Sequence, residues 1–123
     1  MTSVALVSIV EDDESVRKAL ENLIRSVGWD VLSFESAEAF LASGAASRTQ
    51  CLISDVTMPG LSGIEMHAQL MTQGLAPPTI FITGYPTLQD KATALSNGAI
   101  AYLEKPIDSN LILGNVLQVI GKP

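Results

Sequence analysis

Residues 11 to 14 read Glu-Asp-Asp-Glu, directly after the apolar pair Ile9-Val10. Four successive carboxylates repel one another at neutral pH. A further acid, Asp55, ends the apolar run that begins Cys51-Leu52-Ile53. Thr83 and Gly84 follow Thr79–Ile82, and a lone ammonium, Lys105, follows Ile100–Leu103 after Glu104. Close carboxylates raise one another's pKa unless a cation sits among them. A hard divalent ion relieves that clash. Mg²⁺ takes about six oxygens and usually keeps several waters, so two or three carboxylates and a backbone carbonyl suit it. Helix capping explains only part of the run. Asp13 is a good N-cap, and Glu14 falls where a helix macrodipole favours negative charge. Capping does not explain Glu11, Asp12 or Asp55.

The elements that carry these residues alternate between two periods. Val4–Val10, Val31–Phe34, the run from Cys51 to Asp55, Thr79–Ile82 and Ile100–Leu103 are short apolar runs that read as strands. Between them lie helical patterns. Val16, Leu20, Leu23, Ile24 and Val27 recur at helical spacing and stop at Gly28. Ser36 caps a helix carrying Ala37, Phe40 and Leu41, which ends near Gly44. Ser62 and Glu65 form a capping box ahead of Ile64, Ala68 and Met71. Leu88, Ala92 and Leu95 mark a helix from near Pro86 to Asn97-Gly98, and residues 108–120 form the last.

Such alternation predicts an α/β fold: a doubly wound, five-stranded parallel sheet covered on both faces as a three-layer sandwich. Crossovers are expected to be right-handed. Ligands in such sheets bind at the carboxyl ends of strands. The strand ends would bring together three carboxylates, a hydroxyl and an ammonium.

The 123 residues fit one domain, 1–123. Hydrophobic residues make up 47% and aromatics 5%, which implies a mostly aliphatic core. The net charge of −6 excludes a basic nucleic-acid footprint, so DNA contact would need another domain or chain. A single cysteine, Cys51, permits no internal disulfide and suits a reducing cytoplasm, where we expect it to be an inert packing residue. Residues 1 to 10 lack a signal-peptide pattern, and no run approaches the roughly 20 apolar residues of a membrane span.

The motifs "IVEDD" (9–13), "LISDVTMPGLSG" (52–63), "FITGY" (81–85) and "YLEKP" (102–106) together resemble the receiver domain of bacterial two-component response regulators. "ESVRKAL", "SAEAFL" and "ITG" resemble its FixJ-like subgroup. The resemblance spans nearly the whole chain and implies a (βα)5, flavodoxin- or CheY-like fold. It implies that Asp55 is the phospho-acceptor. It also implies that Glu11, Asp12, Asp55 and the backbone carbonyl of Thr57 hold Mg²⁺ or Mn²⁺. Thr83 and Tyr102 correspond to the switch pair, and Lys105 to the lysine that meets the phosphoryl group. Glu11 departs from the Asp that many members carry. The bond Lys105-Pro106 is expected to be cis. The implied donor is a phosphohistidine of a sensor kinase, with acetyl phosphate as a small-molecule substitute. The implied output is a changed face of helix 4, strand 5 and helix 5, which controls homodimerisation or a downstream DNA-binding domain.

Two other classes compete with the switch. A Mg²⁺-dependent phosphohydrolase needs an acid/base carboxylate two residues after its nucleophile, and Thr57 stands there. A binding-only pseudo-receiver would not need the set Asp55, Thr83 and Lys105. The chain is thus expected to be a phospho-acceptor with at most weak self-phosphorylation and self-dephosphorylation, not an enzyme. His67, the only histidine, is expected at the surface. Trp29 should pack at the start of the second strand. Tyr85 either hinders a water beside Asp55 or lies on the surface. The last helix is apolar over more than one stripe, and Gly114 within it suggests a close contact.

Overall fold

The computed structural model describes residues 4–121. Five strands, β1 (Leu6–Val10), β2 (Asp30–Phe34), β3 (Cys51–Asp55), β4 (Thr79–Thr83) and β5 (Ala101–Glu104), form one parallel sheet in the order β2-β1-β3-β4-β5. The helices between and after them are α1 (Glu14–Ser26), α2 (Ala37–Ser43), α3 (Gly63–Thr72), α4 (Leu88–Ser96) and α5 (Ser109–Ile120). The doubly wound, three-layer fold is as expected.

Strand side chains alternate between the two layers because the pleat has period two. Val7 and Ile9, Cys51 and Ile53, and Ile80 and Ile82 pack with Leu20 and Ile24 of α1 and Ile112 and Val116 of α5. On the other face, Val10 and Leu52 meet Phe40 of α2 and Met66 and Leu70 of α3, while Phe81 meets Ala94 of α4. Trp29 and Cys51 are buried in the first of these clusters.

Several boundaries differ from expectation. β1 begins at Leu6, and Val4 is 53% exposed. Ile100 precedes β5 in a bend. A 3-10 helix, Ala45–Arg48, fills the link after α2. Helix α4 starts at Leu88, two residues after Pro86, because Thr87 is the N-cap and accepts from the Asp90 amide.

Two helices are also rotated from their apolar pattern. In α3, Gly63, Met66, His67 and Leu70 face inward, while Ala68 is exposed and Met71 is 48% exposed. His67 is therefore buried, not on the surface. The cause is Gly63: a Cβ there would lie 2.1 Å from the carbonyl oxygen of Asp55, so its close approach fixes which side of α3 meets the sheet. In α4, Leu88, Ala92 and Leu95 all face solvent, and only Ala94 is buried. Gly114 has nothing within 4 Å of where a Cβ would sit, so no close contact requires it.

Candidate functional site

Parallel register brings the chemistry together. Val10 pairs with Ser54, so the next residues, Glu11 and Asp55, leave adjacent strands side by side. Asp55 in turn pairs with Ile82 of β4. Lys105 lies one residue past β5, and its amide donates to the carbonyl of Thr83 at 2.8 Å. Its side chain reaches back across the end of β4. Nζ lies 2.8 Å from Oε1 of Glu11 and 3.3 Å from Oδ2 of Asp55. Lys105-Pro106 is cis.

Oxygen atoms of Glu11, Asp12 and Asp55 all lie within 4.8 Å of one another. Glu11 and Asp55 are buried, whereas Asp12 opens to solvent. The cleft above them is also lined by Asp13, Thr57, Gly84 and Tyr85. Burial pushes the Glu11 carboxyl up to about 7; the Asp55 charge adds to the rise, while Lys105 and the Asp13 amide oppose it. Desolvation alone would lower the Lys105 pKa. The carboxylates of Glu11 and Asp55 outweigh it and raise it, so the ammonium persists.

Oε1 of Glu11 is buried and paired with the Lys105 ammonium at 2.8 Å. One ammonium stands among three carboxylates, and an oxygen-only donor set with that excess of negative charge fits a hard divalent cation.

The other expected residues are placed less centrally. The Thr57 amide faces Oδ1 of Asp55 at 3.4 Å. Thr83 is buried, but its hydroxyl accepts from the Tyr85 amide at 3.0 Å and bonds neither to Asp55 nor to Lys105. Tyr102 is further out: its hydroxyl accepts from the Thr87 amide at 3.2 Å, tying β5 to the start of α4. Tyr85 lines the cleft while being 75% exposed, so its two expected positions are not exclusive.

Asp13 caps α1: its Oδ1 accepts from the amides of Ser15 and Val16. The capping box of Ser62 and Glu65 is also present.

Sequence reasoning missed three supports. Oε2 of Glu38, on α2, accepts from the Leu61 amide at 3.0 Å and so anchors the loop that follows Asp55. That backbone bond, first among the causes, lowers the Glu38 pKa. Gly60, at φ +80°, leaves the space that the Glu38 carboxylate occupies. Arg17 donates to the Glu11 carbonyl at 3.0 Å. A side-chain bond between residues 23 positions apart leaves no periodic signal.

The model of the response regulator receiver domain matches residues 7–117. The chain belongs to that family. Nodulation protein W of Bradyrhizobium diazoefficiens is 41% identical over 113 residues, which cover 92% of this chain and 50% of that protein. Transcriptional regulatory protein FixJ of Azorhizobium caulinodans is 35% identical, with 94% of this chain and 55% of that protein covered. The chain thus spans about half the length of these relatives. The crystal structure of FixJ-N superposes with a TM-score of 0.85 at 33% identity, covering 96% of this receiver domain and 94% of that chain. The response regulator StyR gives 0.88 at 36% identity, with 96% and 60% covered. Among the described residues no helix is long and apolar enough to cross a membrane.

Proposed function

We propose that this receiver domain is a phosphorylation switch whose acceptor is Asp55. One observation carries the reading: Lys105 bridges Glu11 and Asp55 at 2.8 and 3.3 Å, over a cleft in which three carboxylates converge. A carboxylate oxygen of Asp55 attacks the phosphorus of the donor, a phosphohistidine of a sensor kinase or acetyl phosphate. The P–O bond to Asp55 forms as the bond to imidazole nitrogen or acetate oxygen breaks, and the leaving group keeps that electron pair.

Glu11, Asp12, Asp55 and the Thr57 carbonyl would hold Mg²⁺ or Mn²⁺. When bound, the ion neutralises charge on the transferring oxygens. Lys105 turns its ammonium from Asp55 to a phosphoryl oxygen. Thr83 gives up the Tyr85 amide and donates to another phosphoryl oxygen. Tyr102, freed from the Thr87 amide, turns inward, and α4 shifts with it. The modification acts only through such differential contacts.

The face that changes is already apolar. Leu88 is 89% exposed and Leu95 44% on α4, with Leu111 at 49% and Leu117 at 37% on α5. This surface supports phosphorylation-dependent homodimerisation, or control of a DNA-binding output domain such as a transcriptional regulator carries. We place the domain in the cytoplasm, where the kinase domain would meet it. It is a phospho-acceptor and not a turnover enzyme, since exposed Thr57 offers no acid or base two residues after Asp55.

Intact-mass measurement with acetyl phosphate tests the reading. One phosphoryl group should add in the presence of Mg²⁺ and none in EDTA. Full labelling of Asp55→Asn would sink the assignment.

A further inference from the structure

The loop between β3 and α3, residues 56–62, follows directly on Asp55 and contains Thr57. Its two ends are fastened by backbone. The Val56 amide donates to the Ile82 carbonyl, and the Gly63 amide donates to the Val56 carbonyl, both at 3.0 Å. Between those points three amides have acceptors among the described residues. Thr57 faces Oδ1 of Asp55 at 3.4 Å, Leu61 donates to Oε2 of Glu38 at 3.0 Å, and Ser62 donates to Oε1 of Glu65 at 2.9 Å. The first is long for a hydrogen bond. The last belongs to the capping box of α3 itself. Among the described residues, Glu38 thus supplies the one hydrogen bond that ties the loop interior to an element other than β3 and α3.

The loop is shaped for this contact. Gly60 has φ +80°, and a Cβ there would run into the Glu38 carboxylate. Met58, next to Thr57, is buried in one cluster with Phe40 of α2. Glu38 also stands in the first turn of α2, where a helix end favours negative charge. That preference explains an acid at this position. It does not explain why its oxygen reaches a loop 23 positions downstream.

We propose that Glu38 is a positioning residue for the divalent-cation site: through the Leu61 amide, α2 fixes the loop that carries Thr57 and so strengthens Mg²⁺ binding. This role rests on the reading of Glu11, Asp12, Asp55 and the Thr57 carbonyl as the ligand set. A loop already ordered loses less conformational entropy when it takes up an ion. Partners that stand behind metal ligands typically contribute about 10–100-fold in affinity. Glu38 acts from Leu61, four residues beyond Thr57, so the lower end of that range, about tenfold, is expected.

Calorimetric titration of the full, unphosphorylated chain with magnesium chloride tests this, together with amide hydrogen exchange. Glu38→Ala should bind Mg²⁺ about tenfold more weakly and exchange the Leu61 amide faster. It should remain folded in EDTA, because the side chain is exposed. Glu38→Gln keeps an oxygen acceptor while losing the charge. It should restore most of the affinity and of the Leu61 protection. Equal weakening in the two variants would trace the effect to lost charge alone and refute the positioning role. Glu38→Ala binding as tightly as the wild type would also overturn the proposal, while leaving the ligand set intact. A wild type that binds no Mg²⁺ would instead overturn the ligand set, and the role of Glu38 with it.

Discussion

Gly63→Ala inverts the usual effect of that substitution, and the size of the inversion follows from the geometry beside Asp55. In an unobstructed helix, Gly→Ala gains up to about 1 kcal/mol through backbone entropy. At Gly63 the added Cβ would lie 2.1 Å from the Asp55 carbonyl oxygen, 2.8 Å from Oγ of Ser54 and 3.1 Å from the Asp55 carbonyl carbon. An ordinary carbon–oxygen contact is about 3.3–3.6 Å, so helix and strand must part by more than about 1 Å. Two of the three obstacles are backbone and cannot rotate away. The cost belongs at the upper end of overpacking, about 3 kcal/mol. For a chain of this size that lowers the melting temperature by about 10 °C. Gly114→Ala is the control, because nothing lies within 4 Å of its Cβ position. It should raise the melting temperature by about 2–4 °C. Calorimetric melting of both variants checks the pair. The displacement also moves Asp55 itself, and a misplacement of about 1 Å can cost about 100-fold in rate, so labelling of Gly63→Ala by acetyl phosphate should slow by a comparable factor. A Gly63→Ala domain as stable as Gly114→Ala would refute the close approach and with it the account of how α3 is phased.

Other consequences are equally open to measurement. Glu11 has its pKa raised from 4.5 to about 7 by burial, so its neutral form stabilises the metal-free fold below the unfolded value. That contribution is lost as pH rises through about 7, and the melting-temperature difference between wild type and Glu11→Gln in EDTA should shift against the wild type across that window. A pH-independent difference would contradict the burial argument. Asp12→Ala removes one of three crowded charges and should raise the melting temperature in EDTA, while cancelling most of the rise that Mg²⁺ gives the wild type by mass action. Thr83→Ala should leave labelling of Asp55 intact yet uncouple it from assembly. Sedimentation with a beryllofluoride phosphate mimic reads this directly, and equal dimerisation of wild type and variant would remove Thr83 from the coupling.

The order and type of elements were legible because short β-branched runs and helical periodicity alternate without interruption. The acid pair and Asp55 were legible for a related reason: strand ends in a parallel sheet share one edge, and register then sets Glu11 beside Asp55. Helix rotation was not legible. The apolar positions of α3 admitted two phases, and Gly63, whose contact with the Asp55 backbone chose between them, carries no side chain to reveal it. His67 was misplaced by the same error: a buried imidazole packed edge-on against Phe81 at 5.5 Å reads in sequence like a solvated one. In α4 the periodic leucines mark the exposed face, since periodicity identifies a stripe and not what covers it. The Glu38 anchor was invisible because it joins residues far apart in the chain.

The central claim, that Asp55 takes the phosphoryl group, is tested most directly by locating the modified residue in the wild-type domain. An aspartyl phosphate is an acyl phosphate, and borohydride reduces it to homoserine. After treatment with acetyl phosphate and Mg²⁺, reduction and proteolysis, tandem mass spectrometry should place homoserine at position 55. Homoserine at Asp12 or Asp13 instead, with residue 55 unchanged, would contradict the account.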